Sequence, residues 1–134
     1  MSVYRIKELI KDFFRGIKYF IQRGKRGWAD CDIWDFSDYL TDIIIAGLKI
    51  LKENQHGCPS QFWDKEAVNN ECHKWQEILE KMIQGFEAYK QVNDWRFIVG
   101  KFEQKIDKKR LELLEEKYNR GMKLFCRFFT HLWD

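Results

Sequence analysis

The stretch that decides the fold is VYRIKELIKDFFRGIKYFIQR, residues 3–23, in which apolar side chains recur every three or four positions. That spacing predicts an α-helix with one apolar stripe and a basic opposite face. Gly24 is expected to end the helix. The stripe consists of Ile6, Leu9, Ile10, Phe13, Phe14, Ile17, Phe20 and Ile21, and the polar face carries Lys7, Lys11, Arg15 and Lys18.

Two arrangements suit such a helix. A basic amphipathic helix can lie on an anionic membrane, or it can turn its stripe into a protein core. Three further helices follow in the sequence and can supply that core, so we expect the stripe to be buried.

The second and third helices are indicated by the same periodicity. The second is expected to begin near Asp35 or Ser37, either of which can cap it. Gly47 costs about 1 kcal/mol inside a helix, and its position on the stripe suggests close approach of another helix. The third is expected to begin near Asn69 or Asn70 and to run to about Val92. Their buried positions are predicted to be Leu40, Ile44, Leu48 and Leu51, then Cys72, Trp75, Ile78, Leu79, Met82, Phe86 and Tyr89.

A fourth helix is predicted from Asp94, its expected cap, through residues 95–133. A continuous helix of that length would be about 58 Å long, whereas a compact domain of this size is about 30–40 Å across. Either the helix breaks within KIDKKRLE, residues 105–112, or its last turns pack on another copy. Because LFCRFFTHLW, residues 124–133, is dense in aromatic groups, we expect a homo-oligomer, most simply a symmetric dimer.

Composition indicates one folded domain over residues 1–134. Hydrophobic residues make up 45% of the chain and charged residues 34%, and there is one proline, Pro59. So few helix breakers predict an all-α bundle of four or five helices with a long C-terminal helix. The net charge of +3 is too small to indicate binding to a long nucleic acid.

The spacing of the cysteines and the length of the apolar runs indicate in which cellular compartment the protein is expected. Cys31, Cys58, Cys72 and Cys126 form no CxxC pair, so reduced thiols in a cytosolic protein are expected. Lysines and arginines interrupt the N-terminal apolar pattern, which argues against a signal peptide. The longest apolar run, Ile43 to Gly47, is too short to span a bilayer. We therefore expect a soluble, intracellular protein with no membrane partner.

Three sequence blocks carry a family resemblance. RGWADCDIWDFSDYLTDIIIAGLKIL, HGCP and WQEILEKMIQGFEAY resemble a family of small tailed-bacteriophage proteins with the pattern RGW-S/A-D-x-D-x-W, HG-x-P and W…GFE. The resemblance covers roughly residues 23–92. It implies expression in the cytoplasm of an infected bacterial host, and it carries over no catalytic residue.

The connection RGKRGWADCDIWDFSDYLTD, residues 23–42, holds three basic side chains, five aspartates and two tryptophans. Guanidinium groups beside a helix N-terminus can bind phosphate, indoles can stack on a base, and aspartates can accept hydrogen bonds from its polar edges. This pattern suits a small nucleotide-like anion better than a long nucleic acid, which five carboxylates would repel. The candidate ligand-binding residues are Arg23, Lys25, Arg26, Trp28, Asp30, Asp32 and Trp34.

The same residues also suit a structural junction. Asp35 and Ser37 are common capping residues, and carboxylates stabilise the first turn of a helix without any ligand. Asp30 or Asp32 can simply pair with Arg26. The sequence leaves both interpretations open.

Other clusters give weaker signals for chemistry. Asp35, Asp38 and Asp42 share a helix face and with Glu87 could hold a divalent cation. The two E-x-x-E pairs resemble the acidic motifs of all-α nucleoside triphosphate pyrophosphohydrolases, which bind magnesium. His56, Cys58, Cys72 and His73 have the ligand types of a zinc site without its usual spacing. No catalytic triad, P-loop or dinucleotide fingerprint is present, so no cofactor is expected. The E-x-x-E pairs are Glu77 with Glu80 and Glu112 with Glu115.

The leading hypothesis is a phage-encoded, non-enzymatic protein that sequesters a small nucleotide-like anion, for example a signal of a host defence system. The second is a helical protein–protein inhibitor of a host factor that uses the aromatic C-terminal segment. The third is a magnesium-dependent nucleotide hydrolase.

Overall fold

The computed structural model describes residues 3–62, 72–94 and 108–133, and these ranges are all-α. The predicted fold class and the long C-terminal helix are confirmed. The α-helices are α1 (Val3–Arg26), α2 (Phe36–Glu53), α3 (His73–Asn93) and α4 (Lys108–Phe128), and short 3₁₀ turns cover Asp30–Ile33, Ser60–Phe62 and Phe129–His131.

One helix boundary differs from the predicted one. The expected stop at Gly24 is wrong, because α1 continues to Arg26. Asp94 follows the last residue of α3, and its backbone N–H donates to the carbonyl of Lys90 at 2.8 Å. The predicted start at Asn69 or Asn70, the predicted capping of a fourth helix by Asp94, and the question of one continuous fourth helix lie outside the described residues.

Contacts divide the chain into two compact units, the first ending at Leu40 and the second beginning at Thr41. The single domain over residues 1–134 stays a prediction.

The second unit is built around α3. Trp75, Leu79 and Met82 on this helix are almost completely buried. Their spacing of four and three residues is that of one helix face, as the sequence predicted. The rings of Phe62, Trp75 and Phe128 pack against one another with centroids 5.4–5.7 Å apart. This cluster joins the turn after α2, the start of α3 and the end of α4.

α3 and α4 run antiparallel and approach to backbone contact. A β-carbon built on Gly85 would lie 2.6 Å from the Cα of Gly121, a separation that only two glycines can accept. The sequence predicted a close approach of another helix at Gly47, but nothing lies within 4 Å of a β-carbon built on that residue. The close approach of two helices is found at Gly85 and Gly121 instead. An open apolar groove of about 450 Å³ passes that glycine, bordered by Leu48 and Trp133.

Ion pairs and one disulfide connect α2 with α3. Lys49 contacts Glu87 at 2.7 Å, and Lys52 contacts Glu80 at 2.6 Å. Cys58 and Cys72 are disulfide-bonded, with their Cα atoms 5.9 Å apart. The expectation of reduced thiols is therefore wrong for this pair, because the fold brings together two cysteines that are distant in sequence.

The first unit contradicts the expectation that α1 buries its stripe. All eight stripe side chains are 41–78% exposed. The other described segment of this unit that contacts α1, the turn after it, lies on the polar face of the helix, where Asp30 contacts both Lys18 and Gln22. No described element of this unit covers the apolar stripe.

Candidate functional site

The corner segment, residues 23–34, begins where α1 ends. Gly27 has a φ of +81°, a left-handed conformation that favours glycine. Its N–H donates to the carbonyl of Arg23 at 2.9 Å, and its own carbonyl accepts a hydrogen bond from the hydroxyl of Tyr39. These two hydrogen bonds fix the backbone of Gly27 at the end of α1.

Asp32 is the buried anchor of the corner segment. Its side chain is 7% exposed. It accepts a hydrogen bond from Nε of Arg23 at 3.0 Å, a second from Nη2 of the same guanidinium, and a third from the backbone N–H of Ala29 at 2.8 Å. This two-pronged pairing with Arg23, helped by the Ala29 amide, lowers the pKa of Asp32 to about 2. The same carboxylate raises the pKa of Arg23.

Asp30 forms a second network on the polar face of α1. The amide of Gln22 donates to its carboxylate at 2.7 Å and accepts from its backbone N–H at 2.9 Å. Lys18 lies 3.2 Å from the same carboxylate, and Arg26 hydrogen-bonds to its other oxygen. These contacts, led by Gln22 and followed by Arg26 and Lys18, lower the pKa of Asp30 to about 2.

The two indoles have different environments. The guanidinium of Arg26 lies 3.7 Å from the ring centroid of Trp28 and also donates to the Trp28 carbonyl at 3.0 Å. One face of Trp28 is thus covered by a cation–π contact. The side chain of Trp34 is 94% exposed, and no ring or cation contact to it occurs among the described residues.

The structure brings together five of the seven predicted residues, but it pairs them with one another. Arg23 binds Asp32, while Arg26 binds Asp30 and covers Trp28. Guanidinium donors that already bind carboxylates are poorly placed to bind a phosphate. These contacts match the structural interpretation of the corner segment. Lys25 and Trp34 take no part in these contacts. Lys25 forms no ion pair with a described carboxylate.

Sequence reasoning missed Lys18, Gln22 and Tyr39. Lys18, Gln22 and Arg26 are spaced by four, so they lie on one side of the helix. That spacing was the available signal for a shared anionic partner. The contact from Tyr39 to the Gly27 carbonyl spans 12 residues, and no local pattern indicates it.

α1 exposes a long apolar surface. Its apolar stripe, defined above, is exposed along its whole length. The helix carries eight basic and two acidic residues. Near its C-terminal end an open groove of about 500 Å³ has an apolar side formed by Phe14, Ile17 and Ile21. Its basic side is formed by Lys18, Lys25 and Arg26.

Half of the eight carboxylates predicted for metal binding pair with lysines. Asp42 pairs with Lys90, and Glu87 and Glu80 pair with lysines of α2. Asp38 raises the pKa of Asp35 through the repulsion of like charges. Within residues 3–62, 72–94 and 108–133, no three His, Cys, Asp or Glu side chains are grouped so that they could hold a metal ion.

Two of the four candidate zinc ligands, Cys58 and Cys72, form a disulfide, so the zinc interpretation is wrong. Cys58 and Cys72 are bonded to each other, and a zinc ligand must be a free thiolate. Cys31 and Cys126 remain free thiols.

The aromatic C-terminal segment is divided between core and surface. Phe128 is buried, whereas Phe129 and Trp133 are 62% and 59% exposed. Part of the surface that suggested a homo-oligomer is therefore used inside the chain. Oligomerisation stays a prediction.

Comparison with known proteins gives no match: no family model, curated protein or solved structure is similar to this chain. In the described part of the chain, no helix combines the length and the apolar content needed to cross a membrane.

Proposed function

We propose that this protein is a non-enzymatic binding protein that acts through α1 and takes an anionic partner with apolar surface. The observation that carries the proposal is the exposed stripe of α1, in which every side chain is at least 41% exposed. Contiguous apolar surface of this extent on a small protein usually marks an interaction site.

The preference for an anionic partner follows from charge. With eight basic and two acidic residues, α1 is far more basic than the chain as a whole, whose net charge is +3. Its C-terminal groove combines apolar and basic sides. A partner with both apolar and negative surface complements this helix, whereas a cationic one is repelled.

Anilinonaphthalene sulfonate, an anionic dye with apolar rings, tests the proposal on the full-length native protein. We expect the wild type to enhance the dye's fluorescence, and the double variant Phe13→Ser/Phe20→Ser to lose most of that enhancement. The matched control is Leu113→Ser/Ile43→Ser, which removes two apolar side chains that are 52% and 49% exposed outside α1. An equal loss in both variants, or no enhancement by the wild type, would refute the role of α1.

A second candidate is the small nucleotide-like ligand at the corner segment. It is favoured by the exposed indole of Trp34 and by the ammonium group of Lys25, which lines the groove of α1. Calorimetry with linear and cyclic nucleotides tests it, with Lys25→Ala and Arg26→Ala as variants. Binding that both variants weaken supports this site, and unchanged affinity in both counts against it.

The phage resemblance supports a further part of the proposal, that the protein acts in the cytoplasm of an infected bacterium. Disulfides are typical of oxidising compartments, so the thiol state in cells is informative. Rapid alkylation of infected cells followed by mass measurement reports whether Cys58 and Cys72 are bonded there. Fully oxidised protein would argue for an oxidising compartment instead.

A further inference from the structure

We propose that α1 is an interfacial helix that lies on an anionic lipid bilayer, with its apolar stripe in the headgroup boundary and its flanking cations at the lipid phosphates. This inference rests on the proposed function and names its partner. The earlier preference for a core-facing helix assumed a covered stripe, whereas the structure leaves the stripe exposed.

The distribution of charge around α1 carries the inference. With about 100° of rotation per residue, the stripe occupies an arc of about 140° and a length of about 24 Å. Cations lie along both borders of this arc, Glu8 lies near the middle of the opposite face beside Arg15 and Arg26, and Asp12 lies between Glu8 and Arg23. A helix in a membrane interface needs its apolar side chains inward and cations at headgroup level along its borders, with the other charged groups outward. The border cations are Lys7, Lys18 and Lys25 on one side and Arg5 and Arg23 on the other.

Some border cations are available for lipid and others are not. Lys18 and Arg23 are held by Asp30 and Asp32. Arg5, Lys7 and Lys25 form no ion pair with any carboxylate of the described residues. Lys7 and Lys25 lie on one border of the stripe and Arg5 lies on the other, so these three are the cations expected to reach lipid phosphates.

A second copy of α1 fits this surface less well. Two such helices packed stripe to stripe would place border cations beside border cations, while Glu8 and Asp12 would point away from the contact. A lipid surface carries the opposite charge and suffers no such repulsion.

The shape of the stripe also favours lipid over a folded protein. Its side chains protrude from a single convex helix, with Phe13 and Phe20 exposed by 66% and 78%. A bilayer interface accepts a convex helix without a shaped groove. The cationic face makes α1 a helix that lies on a bilayer and does not cross it.

Vesicle flotation of the full-length protein tests the proposal. We expect the wild type to bind vesicles of phosphatidylglycerol and phosphatidylethanolamine, to bind phosphatidylcholine vesicles much more weakly, and to be released as the salt concentration rises. Phe13→Ser/Phe20→Ser should weaken binding by more than about tenfold because apolar area is lost. Lys7→Glu/Lys25→Glu should weaken it by more than about tenfold through charge reversal at the border.

The matched control is Lys74→Glu/Lys123→Glu, which makes the same change in net charge at two exposed positions outside α1. We expect it to retain binding within about threefold, as a surface change remote from the lipid contact should. An equal loss in this control, or no binding of the wild type to anionic vesicles, would overturn the proposal. So would a wild-type dimer that Phe13→Ser/Phe20→Ser converts to monomer in sedimentation. Dye binding that depends on α1 without vesicle binding would leave the proposed function standing and remove only the lipid.

Discussion

At the scale of single residues, Arg23 and Arg26 at the end of α1 belong to two hydrogen-bonded networks with aspartates of the following turn. Arg23 holds Asp32, and Gln22, Lys18 and Arg26 hold Asp30. The residues that the sequence offered as a phosphate site thereby fasten the turn after α1 to the polar face of that helix. These networks involve the polar face of α1, and the apolar stripe on the other face stays exposed for the proposed binding.

These networks predict a pH dependence. The pKa of Asp30 and of Asp32 is about 2 in the folded protein, against an ordinary value of 3.8. A lowered folded-state pKa stabilises the protein above the unfolded value, and that stability is lost as pH falls from about 4 towards 2. Carboxyl-carbon chemical shifts followed against pH should give midpoints near 2 for both residues.

The effect of these networks on stability can be measured with the variant Asp32→Asn. Its loss of unfolding free energy relative to the wild type should be largest above pH 4 and should shrink towards pH 2. The matched control is Asp12→Asn, which breaks the exposed pair with Arg15 and should change stability little, as exposed pairs contribute little. Midpoints near 3.8 would show that the pairing is absent in solution.

At the scale of elements, two glycines on different helices have opposite roles. Gly85 is buried where α3 meets Gly121 of α4, whereas Gly47 in α2 is exposed with open space at its β-carbon position. A glycine is an advantage only where backbones touch, since elsewhere its conformational freedom weakens a helix. The crossing of α3 and α4 is therefore the contact that depends on the absence of a side chain.

Alanine at these two positions should act in opposite directions. Gly85→Ala should destabilise the protein by about 1–3 kcal/mol, because its β-carbon overlaps backbone atoms of α4. Gly47→Ala should stabilise it by about 0.5–1 kcal/mol through higher helix propensity. Urea unfolding followed by circular dichroism measures both, and a neutral Gly85→Ala variant would show that the helices do not meet at this point.

At the scale of the whole molecule, the chain consists of two units with different characters. The first carries the basic helix and its exposed stripe, and the second contains the aromatic core around Trp75 and the disulfide from Cys58 to Cys72. The proposed binding surface lies in the first unit, and most of the buried core lies in the second. The disulfide closes the connection between α2 and α3.

Loss of this disulfide should weaken the second unit. The two cysteines are 14 residues apart, and a cross-link of that length stabilises by about 3 kcal/mol in the chain-entropy model. Cys58→Ser, or reduction of the wild type, should lower the unfolding free energy by about that amount. Cys126→Ser serves as the control because that thiol is free and exposed. If reductant leaves wild-type stability unchanged, the bond does not form in solution.

The sequence by itself determined the helices, because helical hydrogen bonds are local and apolar periodicity reports them directly. The stripe of α3, with Trp75, Leu79 and Met82, was readable in this way and is buried as expected. The same periodicity marked the stripe of α1 correctly as apolar. It could not say what covers that stripe, because burial depends on partners distant in the chain.

The tertiary structure decided three matters that no local pattern contains. It paired Arg23 with Asp32 instead of leaving a phosphate site, it joined Cys58 to Cys72, and it left the stripe of α1 exposed. Each depends on distances between groups far apart in sequence or on opposite faces of one helix. Such distances are set by packing, and in the first unit the turn after α1 contacts the polar face of that helix while the apolar stripe stays exposed.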